Sequence, residues 1–422
     1  MRFAKPDDWL SWLEGLHPQA IDLGLERVAE VWRRMGLQLQ PARVISVAGT
    51  NGKGSSLALL ESIYRAAGYR VGAYSSPHLL IYNERIRLDG RLVEDAELCA
   101  AFARVDQARL DQARGEISLT YFEFGTLAAL ALFAEAGLDL IILEVGLGGR
   151  LDAVNIIDAD VALISSIDFD HQDWLGTDLD QIAREKGGIM RPGRPAVFNG
   201  DCPPAGLLQL AAELGARLHL RQRDYRQQRL QGGWSWQAGS AVYPHLPLPA
   251  LRGPHQLHNA GAVLMLVELL QSQLPVAEAA IVEGLQRVFV AGRIQLIPGA
   301  VELVLDVAHN PEGARALAAA LLQMPQQGRN LAVFGLLQDK DAEQVVAPLL
   351  ALVDSWYLGR PASPRGREPA SLAPILQRLG AEVFCHDSLV QAYHQCRAQA
   401  QPGDRILVFG SFYTVSEVMS LL

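Results

Sequence analysis

At 422 residues the chain is too long for one simple core and suits two domains; half of it is hydrophobic, enough to fill both. A net charge of −9 excludes the basic surface that nucleic-acid binding requires, so no nucleic-acid partner is expected. No apolar run reaches the roughly 18 residues of a membrane span, and Met1 to Asp8 carries no apolar signal core, so no membrane contact is expected.

The first strong element is the β-branched run Val44 to Val47, read as a buried strand. It leads into Ala48-Gly49-Thr50-Asn51-Gly52-Lys53-Gly54-Ser55, and then into the helical spacing of Leu57 to Tyr64. A strand, a glycine-rich turn with one lysine and a helix together make a phosphate cradle: amides point inward, and the helix end and the lysine add positive charge. The match to Gly-x-x-x-x-Gly-Lys-[Ser/Thr] is loose. Val47 stands at the first glycine, and Gly54 separates Lys53 from Ser55. A strand follows at Arg70 to Tyr74, then helices from Glu94 to Ala113 and from Glu123 to Ala136. Strands at Leu138 to Val145 and Val161 to Ser165 come next. This alternation predicts a mostly parallel sheet with helices on both faces. Between Arg217 and Leu251, Trp234, Trp236 and Val242 lie among Gly, Ser and Pro, which predicts a small β excursion, followed by a helix from Asn259 to Gln273.

A second α/β series begins near Val301, with strands at 301–305, 331–335, 355–358, 381–384 and 405–409. Pro298-Gly299 reads as the hinge and Gly359 to Gly366 as a mobile loop. The expected class is therefore α/β: an N-terminal P-loop nucleotide-binding domain with a mostly parallel sheet, residues 1–296, and a smaller Rossmann-like α/β domain, residues 297–422. Cys99, Cys202, Cys385 and Cys396 show no CxxC and no metal-like spacing. They read as free thiols of a cytoplasmic protein.

Several strand ends carry chemistry. Glu144 closes an apolar strand and opens Val145-Gly146-Leu147-Gly148-Gly149-Arg150-Leu151-Asp152. In a parallel sheet ligands bind beyond such ends, so this carboxylate is placed to hold a nucleotide's magnesium. Asp168, Asp170, His171 and Asp173 follow the next strand and fit a metal site, a general base or a polar loop. Lys186, near a helix C-terminus, reads by itself as a solvated lysine favoured by the helix dipole. Asn310 and Pro311 are explained as a helix cap and first residue, which leaves Asp306 and His309 poised at a strand end. Gln338 to Asp341 and Gly410-Ser411-Phe412 occupy equivalent positions.

Together these stretches resemble the folylpolyglutamate synthase/dihydrofolate synthase family of the Mur ligase superfamily. The resemblance covers nearly the whole chain. It rests on Ile21 to Arg27, the Ala48 to Ser55 loop, Tyr74-Ser75-Ser76-Pro77-His78-Leu79, Leu119 to Glu123, Leu143 to Asp152 and Asp306 to Pro311. It implies ATP-driven addition of L-glutamate to dihydropteroate and to reduced folates through an acyl phosphate. Thr50, Asn51, Gly52 and Lys53 would hold the ATP phosphates, with Asn259, Arg293 and Asp306 as further ATP contacts lying between the domains. Ser76 and Glu144 match ligands of one Mg2+ ion and His171 a ligand of a second; a monovalent cation is a further option. Lys186 matches a lysine carbamylated by CO2, which with Lys53 and His171 completes the catalytic set. Asp22, Leu23, Thr120, Tyr121, Phe122, Glu123, Leu151, Asp152 and Ala153 match the dihydropteroate-binding segments. His309 and Ser411 match the border of the glutamate pocket. Val154 departs from a usual Thr and Gly187 from a usual Ala. A monomer is expected.

Two rivals remain at this level. A ligase acting on cell-wall nucleotides would carry an extra N-terminal domain, and about 45 residues before the phosphate loop are too few for one. A nucleotide switch without bond formation would leave Asp306, His309 and Ser411 without a role.

Overall fold

The all-apolar runs become strands buried on both faces. The structure, a computed structural model, describes residues 2–39, 41–110, 115–325 and 327–422. The chain forms two compact units, Met1–Ala250 with His258–Val288 and Leu251–Leu257 with Phe289–Leu422.

In the first unit the strands are β1 (Arg43–Ala48), β2 (Val71–Tyr74), β3 (Ile86–Leu88), β4 (Arg91–Leu92), β5 (Leu140–Glu144), β6 (Val161–Ile164), β7 (Pro195–Phe198) and β8 (Arg217–Leu220). They form one eight-stranded sheet in the order β4-β3-β2-β5-β1-β6-β7-β8. All pairings from β2 to β8 are parallel; β3 and β4 add an antiparallel edge. Every residue of β5 is buried, as a central strand covered on both faces requires. The expected β excursion is a separate antiparallel sheet of β9 (Arg226–Leu230), β10 (Gly233–Ala238) and β11 (Ala241–Leu246).

The helices of this unit are α1 (Pro6–Glu14), α2 (Glu26–Met35), α3 (Lys53–Ala66), α4 (Asp95–Arg109), α5 (Tyr121–Glu135), α6 (Gln172–Leu175), α7 (Leu179–Gly187), α8 (Ala205–Leu214), α9 (Pro254–Leu270, of which the residues from His258 on belong here) and α10 (Glu278–Arg287). Helix α5 is apolar around most of its circumference, and it is buried from Glu123 to Ala131. Its Phe124 meets Trp9 and Phe102, with ring centroids 6.2 and 5.7 Å away. Helix α4 was expected to reach Ala113, which lies outside the described residues. Helix α9 starts five residues before the expected Asn259, at Pro254. Proline at a first helical position surrenders no hydrogen bond, so the polar His255 to Asn259 stretch is the opening of the helix and not a loop.

The second unit has the sheet β12-β13-β17-β14-β15-β16, with β12 (Gln295–Ile297), β13 (Glu302–Asp306), β14 (Asn330–Phe334), β15 (Ser355–Leu358), β16 (Val383–Cys385) and β17 (Arg405–Phe409). All pairs are parallel except β12 with β13. The three residues of β12 are too short to register as a strand in the sequence, and Pro298-Gly299 falls in the turn that joins β12 to β13. The stretch read as a mobile loop is tied down. Gln338 N donates to Arg365 O at 2.9 Å, and a Cβ at Gly366 would sit 2.2 Å from Pro361 O. Among the described residues no helix is long and apolar enough to cross a membrane.

Helix α3, which carries the phosphate loop, is fixed from behind by α10. A Cβ on Gly284 would stand 2.6 Å from Ile63 Cα, and Ser62 Oγ donates to Gly284 O at 2.8 Å. Gly284→Ala should therefore overpack this contact and cost about 1–3 kcal/mol, read as a lowered urea midpoint at unchanged slope.

Candidate active site

Four neighbouring strands deliver the site. The C-terminal ends of β2, β5, β1 and β6 lie side by side, and each is followed by one of the candidate segments.

The loop after β1 is seated on the loop after β6. Thr50 N donates to Ser166 O at 2.8 Å, Asn51 N to Ser166 Oγ at 2.9 Å, and Ser165 Oγ to Asn51 O at 2.6 Å. Thr50 Oγ1 donates to Asp168 O and accepts from Asp168 N, at 3.1 and 3.0 Å. Two glycines make this seat possible. A Cβ at Gly49 (φ +143) would lie 2.0 Å from Ser165 Oγ; one at Gly52 (φ +86) would lie 2.9 Å from Asn259 Oδ1. The amides of Thr50 and Asn51 thus bond to the loop after β6, while those of the first turn of α3 have no acceptor within their own helix. Lys53 Nζ folds back on Gly49 O and Thr50 O, at 2.9 and 3.3 Å, so its charge sits over the loop. Asn259, predicted to join this site from far along the chain, does so: it packs on Gly52 and accepts from Asn199 Nδ2 at 3.0 Å.

Glu144 is 4 % exposed. Its Oε2 accepts from Ser76 N at 3.3 Å, and both its oxygens lie 3.9 Å from where a Cβ of Gly54 would be. The carboxylate therefore faces the start of α3, with Ser76 beside it. Among the described residues no cluster of three or more His, Cys, Asp and Glu side chains is placed to hold a metal ion. Ser76 and Glu144 offer oxygen donors, the kind that a hard divalent cation takes. His171 is an exposed residue with φ +51, immediately before the short helix α6.

The glycine-rich loop after β5 is organised by Asp152. Its carboxylate accepts from the amides of Gly146, Leu147 and Val154 at 3.0, 2.9 and 3.1 Å. Burial pushes its carboxyl up to about 7, against the pull of these donors and of Lys53. Gly149 lets the loop dock on α7: a Cβ there would be 2.8 Å from both Glu185 O and Lys186 O. The docked loop lies against the end of α7 that carries Lys186, which is 4 % exposed and not the solvated lysine its position alone suggests. Val154 is fully buried in the core, so its departure from Thr removes no surface hydroxyl.

The segments at Asp22 and Thr120 also meet. Arg27 Nη1 pairs with Asp22 Oδ2 at 2.6 Å, and Nη2 reaches Glu123 Oε1 at 3.1 Å. Thr120 caps α5 reciprocally with Glu123. The Phe122 ring covers Gly146, where a Cβ would stand 2.7 Å from Cζ. Tyr121 is packed 5.8 Å from Tyr82 by ring centroids, under Arg85. Arg27, Asn199, Ser165 and Ser166 were given no site role from the sequence. Their partners are too distant along the chain for spacing to reveal.

In the second unit, Asp306 accepts from Ile294 N and Ala308 N at 2.9 and 2.8 Å, and burial raises its carboxyl above the usual range against the pull of Arg293. Ile294 is held at φ +46, a strained value for a β-branched residue, so Asp306 fixes the backbone next to Arg293. The Arg293 guanidinium lies 5.4 Å from the Phe412 ring centre, and His309 is 6.3 Å from the same ring. Ser411 is committed to structure. Its Oγ accepts from Thr414 N at 3.0 Å and contacts Thr414 Oγ1, which donates to Gly335 O.

Residues 47–266 match the Mur ligase middle domain and residues 292–412 the Mur ligase glutamate ligase domain. The fold and the phosphate-loop site thus define an ATP-dependent amide ligase of the Mur ligase superfamily. The curated dihydrofolate synthase/folylpolyglutamate synthase of Escherichia coli K12 is 45 % identical over 98 % of this chain and 94 % of its own length. An Escherichia coli structure described as FolC in complex with DHPP and ADP superposes with a TM-score of 0.92 at 44 % identity, covering 99 % of this chain and 97 % of that one. A bifunctional folylpolyglutamate synthase/dihydrofolate synthase solved with Mn, AMPPNP and L-glutamate gives 0.90 at 45 % identity, covering 99 % and 98 %. The chain belongs to the dihydrofolate synthase/folylpolyglutamate synthase family.

Two outcomes follow from this geometry. Gly52→Ala should raise the KM for ATP by about tenfold or more, because Asn259 must move and the left-handed backbone is strained; steady-state kinetics at varied ATP measures it. His78 accepts from Arg85 Nε at 2.9 Å, and burial, with Arg85 beside it, holds its imidazole down to about 4 from an ordinary 6.5. Below about 6.5 the unfolded chain gains a proton that the folded one refuses, so stability falls as pH drops toward 4. His219, His258 and His386 act in the same direction. His78→Gln should flatten this slope in part, read from urea midpoints between about pH 7 and pH 4.5.

Proposed function

We propose that the chain joins L-glutamate to dihydropteroate and to reduced folates with the roles that follow. The carboxylate substrate attacks the γ-phosphorus of ATP, the bond from that phosphorus to the β,γ-bridging oxygen breaks, and ADP leaves with the electron pair, which gives an acyl phosphate. The amine of glutamate then attacks the activated carbonyl, and phosphate leaves with the electron pair of the broken C–O bond. A carboxylate is a poor electrophile and phosphorylation supplies its leaving group, so the protein's work is positioning and charge neutralisation. The observation that carries this reading is the meeting, on adjacent strand ends of one parallel sheet, of the phosphate loop, buried Glu144 and the Asp168 segment.

Thr50, Asn51, Gly52 and Lys53 are assigned to the phosphates, with Asn259, which packs against the loop, and with Arg293 and Asp306 as further ATP contacts. ATP and a divalent metal serve the reaction. Ser76 and Glu144 are assigned to one magnesium ion and His171 to a second, with a monovalent cation as an additional ligand. The metal supplies positive charge to the transferring phosphoryl group. A histidine ligand is unusual for so hard a cation. Asp22, Leu23, Thr120 to Glu123 and Leu151 to Ala153 receive dihydropteroate, and His309 and Ser411 border the glutamate pocket. Residues 1–296 form the ATP-binding domain and residues 297–422 the glutamate-ligase domain, in a monomer of the cytoplasm.

Lys186 is assigned a carbamate. Its burial fits a group converted from an ammonium into an anionic oxygen donor near the metal ions. Lys53→Ala should lower kcat by about 10²-fold or more with the fold intact, since a full charge on the phosphates is lost; unchanged turnover at saturating ATP would remove the phosphate-loop assignment. Lys186→Ala should be comparably inactive and partly restored by acetate, and the wild-type enzyme in 13C-bicarbonate should show a carbamate resonance absent from the variant. Full activity of Lys186→Ala at ordinary bicarbonate would overturn the carbamate.

A further inference from the structure

We propose that Arg27 is a positioning residue for the pteroate substrate: its guanidinium fixes the Asp22-Leu23 segment against the first turn of α5 and so sets the opening that receives the ring system. The inference rests on the reading above, in which Asp22-Leu23 and Thr120 to Glu123 face that substrate.

Residues 21–24 have no regular secondary structure, and Leu25, which precedes α2, offers no side-chain cap. Their place relative to α5 therefore depends on side-chain bonds. Arg27, in the first turn of α2, supplies them with both Nη groups. Nη1 pairs with Asp22 Oδ2 at 2.6 Å; Nη2 donates to Asp22 O at 2.9 Å and to Glu123 Oε1 at 3.1 Å. Nε is buried and meets no acceptor, so the two Nη groups alone orient the side chain. Glu123 is a firm anchor. Its other oxygen accepts from Thr120 N at 2.8 Å, its side chain is 5 % exposed, and it sits one residue after Phe122 and two after Tyr121. One planar fork thus ties a carboxylate and a carbonyl of one segment to a buried carboxylate of the other. A lysine, with a single ammonium, cannot span these three acceptors in the same geometry. Arg27 contacts no reacting atom in this scheme. It acts through the segments it holds.

The test compares wild-type, Arg27→Lys and Arg27→Gln full-length enzymes in phosphate-release assays with dihydropteroate, ATP and L-glutamate varied in turn, alongside thermal melts. Arg27→Gln is expected to raise the KM for dihydropteroate about tenfold or more while kcat and the KM values for ATP and glutamate stay within about threefold; Arg27→Lys falls between. A dihydropteroate KM unchanged in both variants would overturn the proposal. A parallel change of all three KM values with a lowered melting temperature would overturn it too, since that is the signature of a merely structural role. Phe122→Ala separates this failure from failure of the underlying reading. If it raises the dihydropteroate KM and Arg27→Gln does not, the inference alone falls. If wild-type turnover does not depend on dihydropteroate, both fall.

Discussion

The phosphate loop approaches two polar side chains so closely that its backbone there must be glycine. A Cβ at Gly49 would be 2.0 Å from the hydroxyl oxygen of Ser165, and one at Gly52 would be 2.9 Å from Asn259 Oδ1. These contacts press the phosphate loop onto the end of β6 and bring the first turn of α3 beside Glu144. Because β1 lies between β5 and β6 in the sheet, the loop between them has Glu144 on one side and Ser165 to Asp168 on the other. Helix α10 then holds α3 from behind, again through a glycine. The position of Lys53 thus follows from sheet order and close packing, with its Nζ turned back on Gly49 O and Thr50 O.

The buried carboxylates follow a second rule. Burying a charge is costly unless donors meet it, and here much of the donation comes from backbone amides. Asp152 gathers three amides of its own loop, Asp306 two amides around Arg293, and Glu123 one amide at the start of α5 together with Arg27. Each of these carboxylates shapes a segment that carries candidate substrate contacts. Asp152 and Asp306 also have raised carboxyl values from burial, yet both accept amide bonds that favour the anion, so loop geometry and protonation are coupled at both sites.

What the sequence disclosed was what chain neighbours determine. The strand, glycine turn and helix at Val44 to Tyr64 are read from local periodicity, and the Asn310 cap from two adjacent residues; the structure has both, with Asn310 Oδ1 accepting from Gly313 N at 2.8 Å. Strand ends were legible because a parallel sheet puts its ligands there. Long-range pairing was not. Arg27 and Glu123 are 96 positions apart, and Asn51 and Ser166 are 115 apart, so no spacing rule links them. Lys186 shows the same limit. Its helix-end position suggests solvent, whereas it is 4 % exposed, on the helix end against which Gly149 packs. Helix α9 was misjudged at its start for a local reason: Gly253 and the polar residues after Pro254 resemble a loop until the proline is seen as the first helical residue.

The second unit shows how structure and chemistry divide a short strand-end motif. Asn310 and Ser411 both accept the amide three residues ahead of them, so each spends its side chain starting a helix. In Ser411 the commitment goes further. Thr414 Oγ1 donates its hydrogen bond to Gly335 O, which leaves Thr414 Oγ1 to accept from the Ser411 hydroxyl. A lone pair is then what Ser411 has left to offer a ligand, and it suits an ammonium better than a carboxylate. The Arg293 guanidinium lies over the Phe412 ring with His309 beside the same ring, and Asp306 holds the strained Ile294 next to it. Ser411 and Phe412, successive residues after β17, thus divide the labour: one starts a helix, and the other lies under a guanidinium.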